Sequence, residues 1–328
     1  MTRWSLGDLD RNSETFDAAA ARLAEGDRFC SSTSWILPAH QVLHLKRHSW
    51  IYAGAGGWVA LAIGHFRGIG PLLEPLEAFW GLASPFVGHD LEGLVEEFAA
   101  FHFNSGAARV PLLLSGIPER SALLRQITRV FGAHRDVSLV ARTHRFVGRL
   151  SEGLDAYLER RSPRFRRNLR AARRRTANEG VDFEYATPPA SGADAEVTRL
   201  LSRVLDVEKR SWKGRDGHGL VEPSFLAFYH AMLSRLIARQ RIRTLFARRE
   251  GEDIGYAFGA VFAGTFRGLQ MSFDDRFRHL SLGNCMHQEL IERACTEEGC
   301  DAYDLGADGR YKERWADENT VLFRVLIR

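Results

Sequence analysis

Apolar positions along the chain fall into two rhythms, one every third or fourth residue and one every second. The first predicts helices and the second strands. In the first half, Phe16 to Ala24 has helical spacing and Trp35 to Val42 can open a second helix. Two apolar runs joined at Gly54-Ala55-Gly56-Gly57 predict a hairpin. Leu91, Leu94, Val95 and Phe98 predict a helix over 91–103, and Leu124, Ile127 and Val130 or Phe131 another over 121–131. Val110 to Leu114 and His144 to Leu150 read as strands.

The second half repeats the alternation. Arg164 to Thr176 predicts an amphipathic helix with Phe165, Leu169, Ala172 and Thr176 on its apolar side. Ser162-Pro163 opens it and Asn178-Glu179-Gly180 closes it. Farther on, the run Leu269 to Phe273 alternates like a strand until Asp274 and Asp275 stop it. After the loop from Arg278 to Asn284, Met286, Leu290, Ile291 and Ala294 recur at helix steps, and Gly299 is placed to end that helix. Ala302 to Leu305 is a further strand, closed by Gly306. Strands and helices alternating at these lengths predict an open α/β sheet in each half.

Length and composition then limit the readings. At 328 residues the chain is long enough for two domains, and the division expected is 1–150 and 151–328. Its share of apolar residues, 45%, is ordinary for a soluble globular protein. The first residues, Met1 to Phe16, carry no hydrophobic core of a secretory leader. Trp50 to Gly64 is too short to span a bilayer, so a cytoplasmic protein is expected. The 4 cysteines form no CxxC pair, which argues for reduced thiols and against a structural metal. Histidines 40, 44, 48, 65, 89 and 102 are scattered and read as packed or surface residues. The net charge of +4 favours an anionic ligand. The nine arginines between Arg160 and Arg175 concentrate that charge, either as a solvated face or as a contact for phosphate, nucleic acid or acidic lipid.

The sharpest chemical signal is the strand–loop–helix order around Ser281. The first amides of a helix have no partner within the helix and lie at the positive end of its dipole, so they receive phosphates. Ser281 is a candidate cap, Gly283 leaves room for close approach and Arg278 adds charge. The spacing Arg278-x-x-Ser281-x-Gly283 resembles the diphosphate-binding signature of the GNAT acyltransferases, with Ser281 where that signature carries glycine. The resemblance widens to the FemAB-like and CelD-type members over Ser162 to Gly180, Glu208-Lys209-Arg210-Ser211-Trp212-Lys213, Gly251 to Ala257, Asp304-Leu305-Gly306 and Tyr311-Lys312-Glu313-Arg314-Trp315, all in order.

It implies two tandem GNAT-like domains with mixed central sheets, the first without cofactor. It implies acetyl-CoA or another acyl-CoA as co-substrate, no metal, and direct attack of an amine, or a hydroxyl, on the thioester. The diphosphate is expected on Arg278, His279, Leu280, Ser281, Leu282, Gly283 and Asn284. Asp274 or Asp304 is the expected base, Tyr311 the proton donor to the thiolate, and Glu208, Trp212, Lys213 and Lys312 face the acceptor. The acceptor is a small molecule or cell-envelope precursor. Two alternatives stay open: an aminoacyl transferase drawing on charged tRNA, and a non-catalytic binding module. Acyl length and oligomeric state are left open as well.

Overall fold

The computed structural model describes residues 1–44, 47–191, 193–297, 299–307 and 309–328. It divides into two compact units, Met1–Arg145 with Thr320–Arg328, and Phe146–Asn319.

In the first unit the edge strand β1 (Thr2–Trp4) is followed by three short helices, α1 (Leu6–Arg11), α2 (Ser13–Ala21) and α3 (Thr33–Pro38). The sheet is built from β2 (Ser49–Ala53), β3 (Gly57–Phe66), β4 (Gly70–Pro75), β5 (Phe86–Gly88) and β6 (Leu112–Pro118). β1, β2, β3 and β4 run antiparallel in turn, β5 pairs with β3, and β4 lies parallel to β6. Helix α4 (Leu91–Phe103) makes the crossover between that parallel pair, and α5 (Ala122–Gly132) follows β6. Asp90 and Ser121 start these helices by accepting the amides of Gly93 and Leu124. Phe86, Phe98, Ile127 and Phe131 are sealed between sheet and helices. The expected glycine hairpin joins β2 to β3, and the predicted helix over 91–103 has those bounds.

β7 (Val137–Arg149) carries the chain into the second unit. There α6 (Gly153–Glu159) and α7 (Pro163–Asn178) lead to β8 (Val181–Ala186). Next come α8 (Ala193–Glu208), the single turn α9 (Trp212–Arg215) and α10 (Pro223–Ala238). The sheet continues with β9 (Ile242–Arg249), β10 (Glu252–Phe262) and β11 (Thr265–Phe273), each antiparallel to the one before. Helix α11 (Leu282–Thr296) crosses to β12 (Ala302–Ala307), which is parallel to β11, and β13 (Glu318–Ile327) ends the chain. An antiparallel meander, a crossover helix and a parallel strand thus occur in both units, the tandem mixed-sheet arrangement that the resemblance implies.

Helix α7 forms as its sequence dictates. Ser162 accepts the Phe165 amide, Pro163 occupies the first turn, and Gly180 takes the left-handed turn after the helix at φ 67°. Its apolar side packs on Trp315, whose ring is fully buried and meets Phe165 edge-on at 4.9 Å. The approach to β13 is fixed by charge. Asp317 accepts from Arg160 Nε (3.0 Å), from the Arg149 amide (2.8 Å) and from the buried Arg161, which also donates to the Ala316 carbonyl.

Burial opposes ionisation of Asp317, yet these donors outweigh it and hold its carboxyl below the ordinary 3.8. Its stabilising effect is therefore full above about pH 4 and is lost as pH falls through the lowered pKa. Asp317→Asn leaves Arg161 without its counter-ion. It is expected to cost about 3 kcal/mol in urea unfolding at pH 7, and the difference from wild type should narrow only below about pH 4.

Candidate active site

The site begins where a ladder stops. β11 and β12 pair through Thr265–Ala302, Phe266–Tyr303 and Arg267–Asp304 and no farther, although both strands continue. At that last rung the buried side chains of Arg267 and Asp304 form an ion pair of 2.7 Å. The other Asp304 oxygen accepts the amide of Gly306, which sits at φ 78°. Beyond the rung the strands diverge around a cavity of about 220 Å³, lined by Gly268 to Met271, Tyr303, Leu305, His287, Leu290, Lys213, Tyr311 and Lys312 among others. β11 also carries a bulge here. Phe258 pairs with Gln270 and Gly259 with Gly268, which leaves Leu269 as the extra residue. Bulges turn peptide groups out of the ladder, and they recur beside active sites.

Two faces of the sheet meet at the cavity. Adjacent strand residues point to opposite sides. Met271 lies toward Gly283 at the start of α11, while the Gln270 amide donates to the Tyr229 hydroxyl of α10 at 3.1 Å. From the α9 side Lys213 Nζ donates to the Met271 backbone carbonyl (2.8 Å) and to the Gln270 side-chain Oε1 (3.5 Å). On the α11 side His287 Nδ1 lies 3.0 Å from the Tyr303 hydroxyl, with the Trp315 ring at 5.2 Å. Burial, with the Lys312 ammonium adding to it, pushes the His287 pKa down to about 3, so the ring is neutral at physiological pH. Burial raises the phenols of Tyr303 and Tyr311, and both keep their protons.

The loop before α11 has a particular backbone. Asp275–Leu280 form a 3₁₀ turn, and Ser281 adopts the left-handed conformation, φ 60° and ψ 40°, before the helix starts. This is the position where a glycine would sit without strain. Ser281 makes no side-chain cap. Its carbonyl accepts the amides of Asn284 and Cys285, and its hydroxyl accepts from Arg175 of α7 at 3.2 Å. The amides of Leu282 and Gly283 precede the first helical bond. Leu280 and Leu282 send their side chains into the core, whereas Arg278 and His279 are exposed. A Cβ on Gly283 would stand at ordinary contact distance from Phe273 and Met271.

The remaining sequence candidates separate. Tyr311, Lys312 and Lys213 line the cavity; Asp274, Asp304, Glu208 and Trp212 do not. Asp274 is buried between Arg210 (2.8 Å) and Arg276 (2.7 Å), which hold its carboxyl below the ordinary value against the opposing effect of burial. Glu208 is also buried and accepts from the hydroxyls of Tyr256 (3.0 Å) and Ser211 (3.3 Å) and from the Leu220 amide (3.3 Å). Trp212 is an exposed ring. His287 and Gln270 escaped the sequence reading as site residues, whereas Arg175 was read only as one of the arginine cluster. For His287 a signal was present, as it stands four residues after Gly283 and three before Leu290 on the helix side that packs on the sheet. Among the described residues no group of His, Cys, Asp and Glu is placed to hold a metal ion.

A parallel pair splayed around a cavity, with a helix N-terminus opening beside it, is a mixed α/β arrangement. Residues 163–313 match the family described as the acetyltransferase (GNAT) domain. Its fold is similar to that of FemX, at TM-score 0.66 with 11% identity over 100% of this chain and 97% of that one. It is similar to a conserved Bacteroides thetaiotaomicron protein of unknown function, at 0.64 with 10% identity over 97% of each chain. It is similar too to the C-terminal domain of an Agrobacterium fabrum protein named as a lysylphosphatidylglycerol synthetase, at 0.57 with 13% identity over 97% and 92%. At such identities the likeness concerns the fold alone. Comparison with curated proteins gives no match.

Two outcomes follow from this geometry. Ser281→Gly should stabilise by about 0.5–1 kcal/mol in urea unfolding, less whatever the Arg175 contact contributes, while Ser281→Val should destabilise. Nitrogen-15 NMR should show the His287 imidazole neutral from pH 7 down to about pH 4, given its pKa near 3.

Proposed function

We propose that the chain is an acyl-CoA-dependent N-acyltransferase, acting in the cytoplasm on an amine, or possible hydroxyl, of a small molecule or cell-envelope precursor. The observation that carries this reading is the splay of β11 and β12 beside the open N-terminus of α11. The diphosphate of the co-substrate would rest on the amides of Leu282 and Gly283, with Arg278 and Arg175 at hand. The thioester would lie in the cavity next to the bulge, where a peptide N–H near Leu269 can receive the oxyanion.

The amine adds to the thioester carbonyl, and collapse of the tetrahedral adduct expels the thiolate. Tyr311 is assigned as proton donor to that thiolate, and the amine's proton leaves through water, since a His287 pKa near 3 makes that ring a weak base. Asp274, Asp304 and Glu208 position the elements around the cavity, since arginines or hydroxyls occupy their carboxylates. Lys213 and Lys312 face the acceptor. We assign no donor to the first unit. At the corresponding helix α4 the amides of His89 and Asp90 go to the Gly56 carbonyl, and Asp90 takes that of Gly93.

A second reading, an acyl group delivered on tRNA, draws on one observation. Arg164, Arg167, Arg170 and Arg174 project from α7, and among the described residues they pair with no carboxylate. Calorimetry separates the two. Acetyl-CoA should bind the wild type, about 10-fold more weakly after Arg278→Ala and not measurably after Gly283→Val. Unchanged affinity in both variants would remove the diphosphate from this loop, and binding of tRNA without acetyl-CoA would favour the second reading.

A further inference from the structure

The acyl-transfer reading leaves the acceptor undefined, and the charges around the cavity narrow it. Among the described residues its lining holds two lysines and a histidine but no acid. Lys213 is the telling one. Its ammonium is held by the Met271 carbonyl and the Gln270 side chain, both neutral oxygens, and Gln270 is itself fixed by Tyr229. An ammonium has three N–H donors, so one remains. The carboxylate that acts on it from nearby, Glu208, is fully buried and committed to Tyr256, Ser211 and Leu220. The ammonium is thus hydrogen-bonded only to neutral oxygens, while the one carboxylate that acts on it is already engaged by other donors, so its burial is only partly compensated.

We infer that the acceptor carries a carboxylate as well as its amine, and that the Lys213 ammonium receives that carboxylate inside the cavity. The substrate class is thus an amino acid or a peptide with a free carboxyl end. The inference rests on the acyl-CoA reading in one respect. Lys213 reaches the cavity from the α9 side, with Gln270, whereas the donor is placed on the α11 side, with Met271 and Gly283. The anion therefore belongs to the acceptor and not to the acyl chain. Burial also lowers the Lys213 pKa, which raises the rival role of a general base. Arginine distinguishes the two, because it binds carboxylates and does not release its proton at accessible pH.

The test first measures acetyl-CoA affinity of the wild type, Lys213→Gln and Lys213→Arg by calorimetry, which shows whether the donor reading and the fold hold. Thiol release from acetyl-CoA is then followed with a pool of L-amino acids and with the pool of their amides. The expected wild-type kcat/KM favours the acids by about 10- to 100-fold. Lys213→Gln should bring that ratio to within a few-fold of one, and Lys213→Arg should keep most of it. If acetyl-CoA does not bind, the donor reading fails by itself, and acids and amides are compared by calorimetry on the free protein with the same expected preference.

The assignment is overturned by equal treatment of acids and amides, by a preference that survives Lys213→Gln, or by equal loss of both acceptor pools in the Gln and Arg variants, the mark of a base. A preference for succinyl-CoA over propionyl-CoA that Lys213→Gln abolishes would put the carboxylate on the donor and overturn the placement.

Discussion

One buried ion pair sets the geometry of the second unit's cavity. Arg267 and Asp304 face each other on the last rung between β11 and β12. A carboxylate and a guanidinium in an apolar interior must satisfy each other and their remaining hydrogen-bonding groups, or the structure loses several kcal/mol. Asp304 does so by drawing the Gly306 amide back onto itself, and the left-handed glycine then steers β12 away from its neighbour. The opening between the strands follows from that turn, and so does the cavity. A residue read from the chain as a candidate base thus spends its charge on shape.

The two units show what happens when one topology is given different ends. Each has a meander, a crossover helix and a parallel strand. In the first unit an aspartate closes the crossover helix, and a backbone carbonyl consumes the amides just before it. In the second, a serine held in a left-handed conformation begins the helix without a side-chain cap, and an arginine from α7 leans on its hydroxyl. The same topology is therefore given two different caps, and the difference lies at the residue that opens the crossover helix.

Much of this was legible in the chain. Periodicity located α4, α7 and the two strands of the splay, because each buries one continuous apolar side. The departure at Ser281 was visible as a mismatch, but whether serine would accept a glycine conformation depends on contacts from α7, more than a hundred residues earlier. The same limit explains Asp304, Asp274 and Glu208. A carboxylate in a promising motif has the same letter whether it faces a substrate or an arginine, and only packing distinguishes them. The bulge at Leu269 and the His287–Tyr303 contact depend on register and on helix rotation, to which local spacing is nearly blind.

The free arginines of α7 have an effect beyond contact. A rigid row of like charges creates a field that extends about 8 Å into physiological saline. Anionic molecules drifting past would be gathered and turned before they touch the surface, so the speed of encounter, more than its strength, would fall as ionic strength rises. Through this helix the salt content of the surroundings would set the pace at which anions reach this face of the protein.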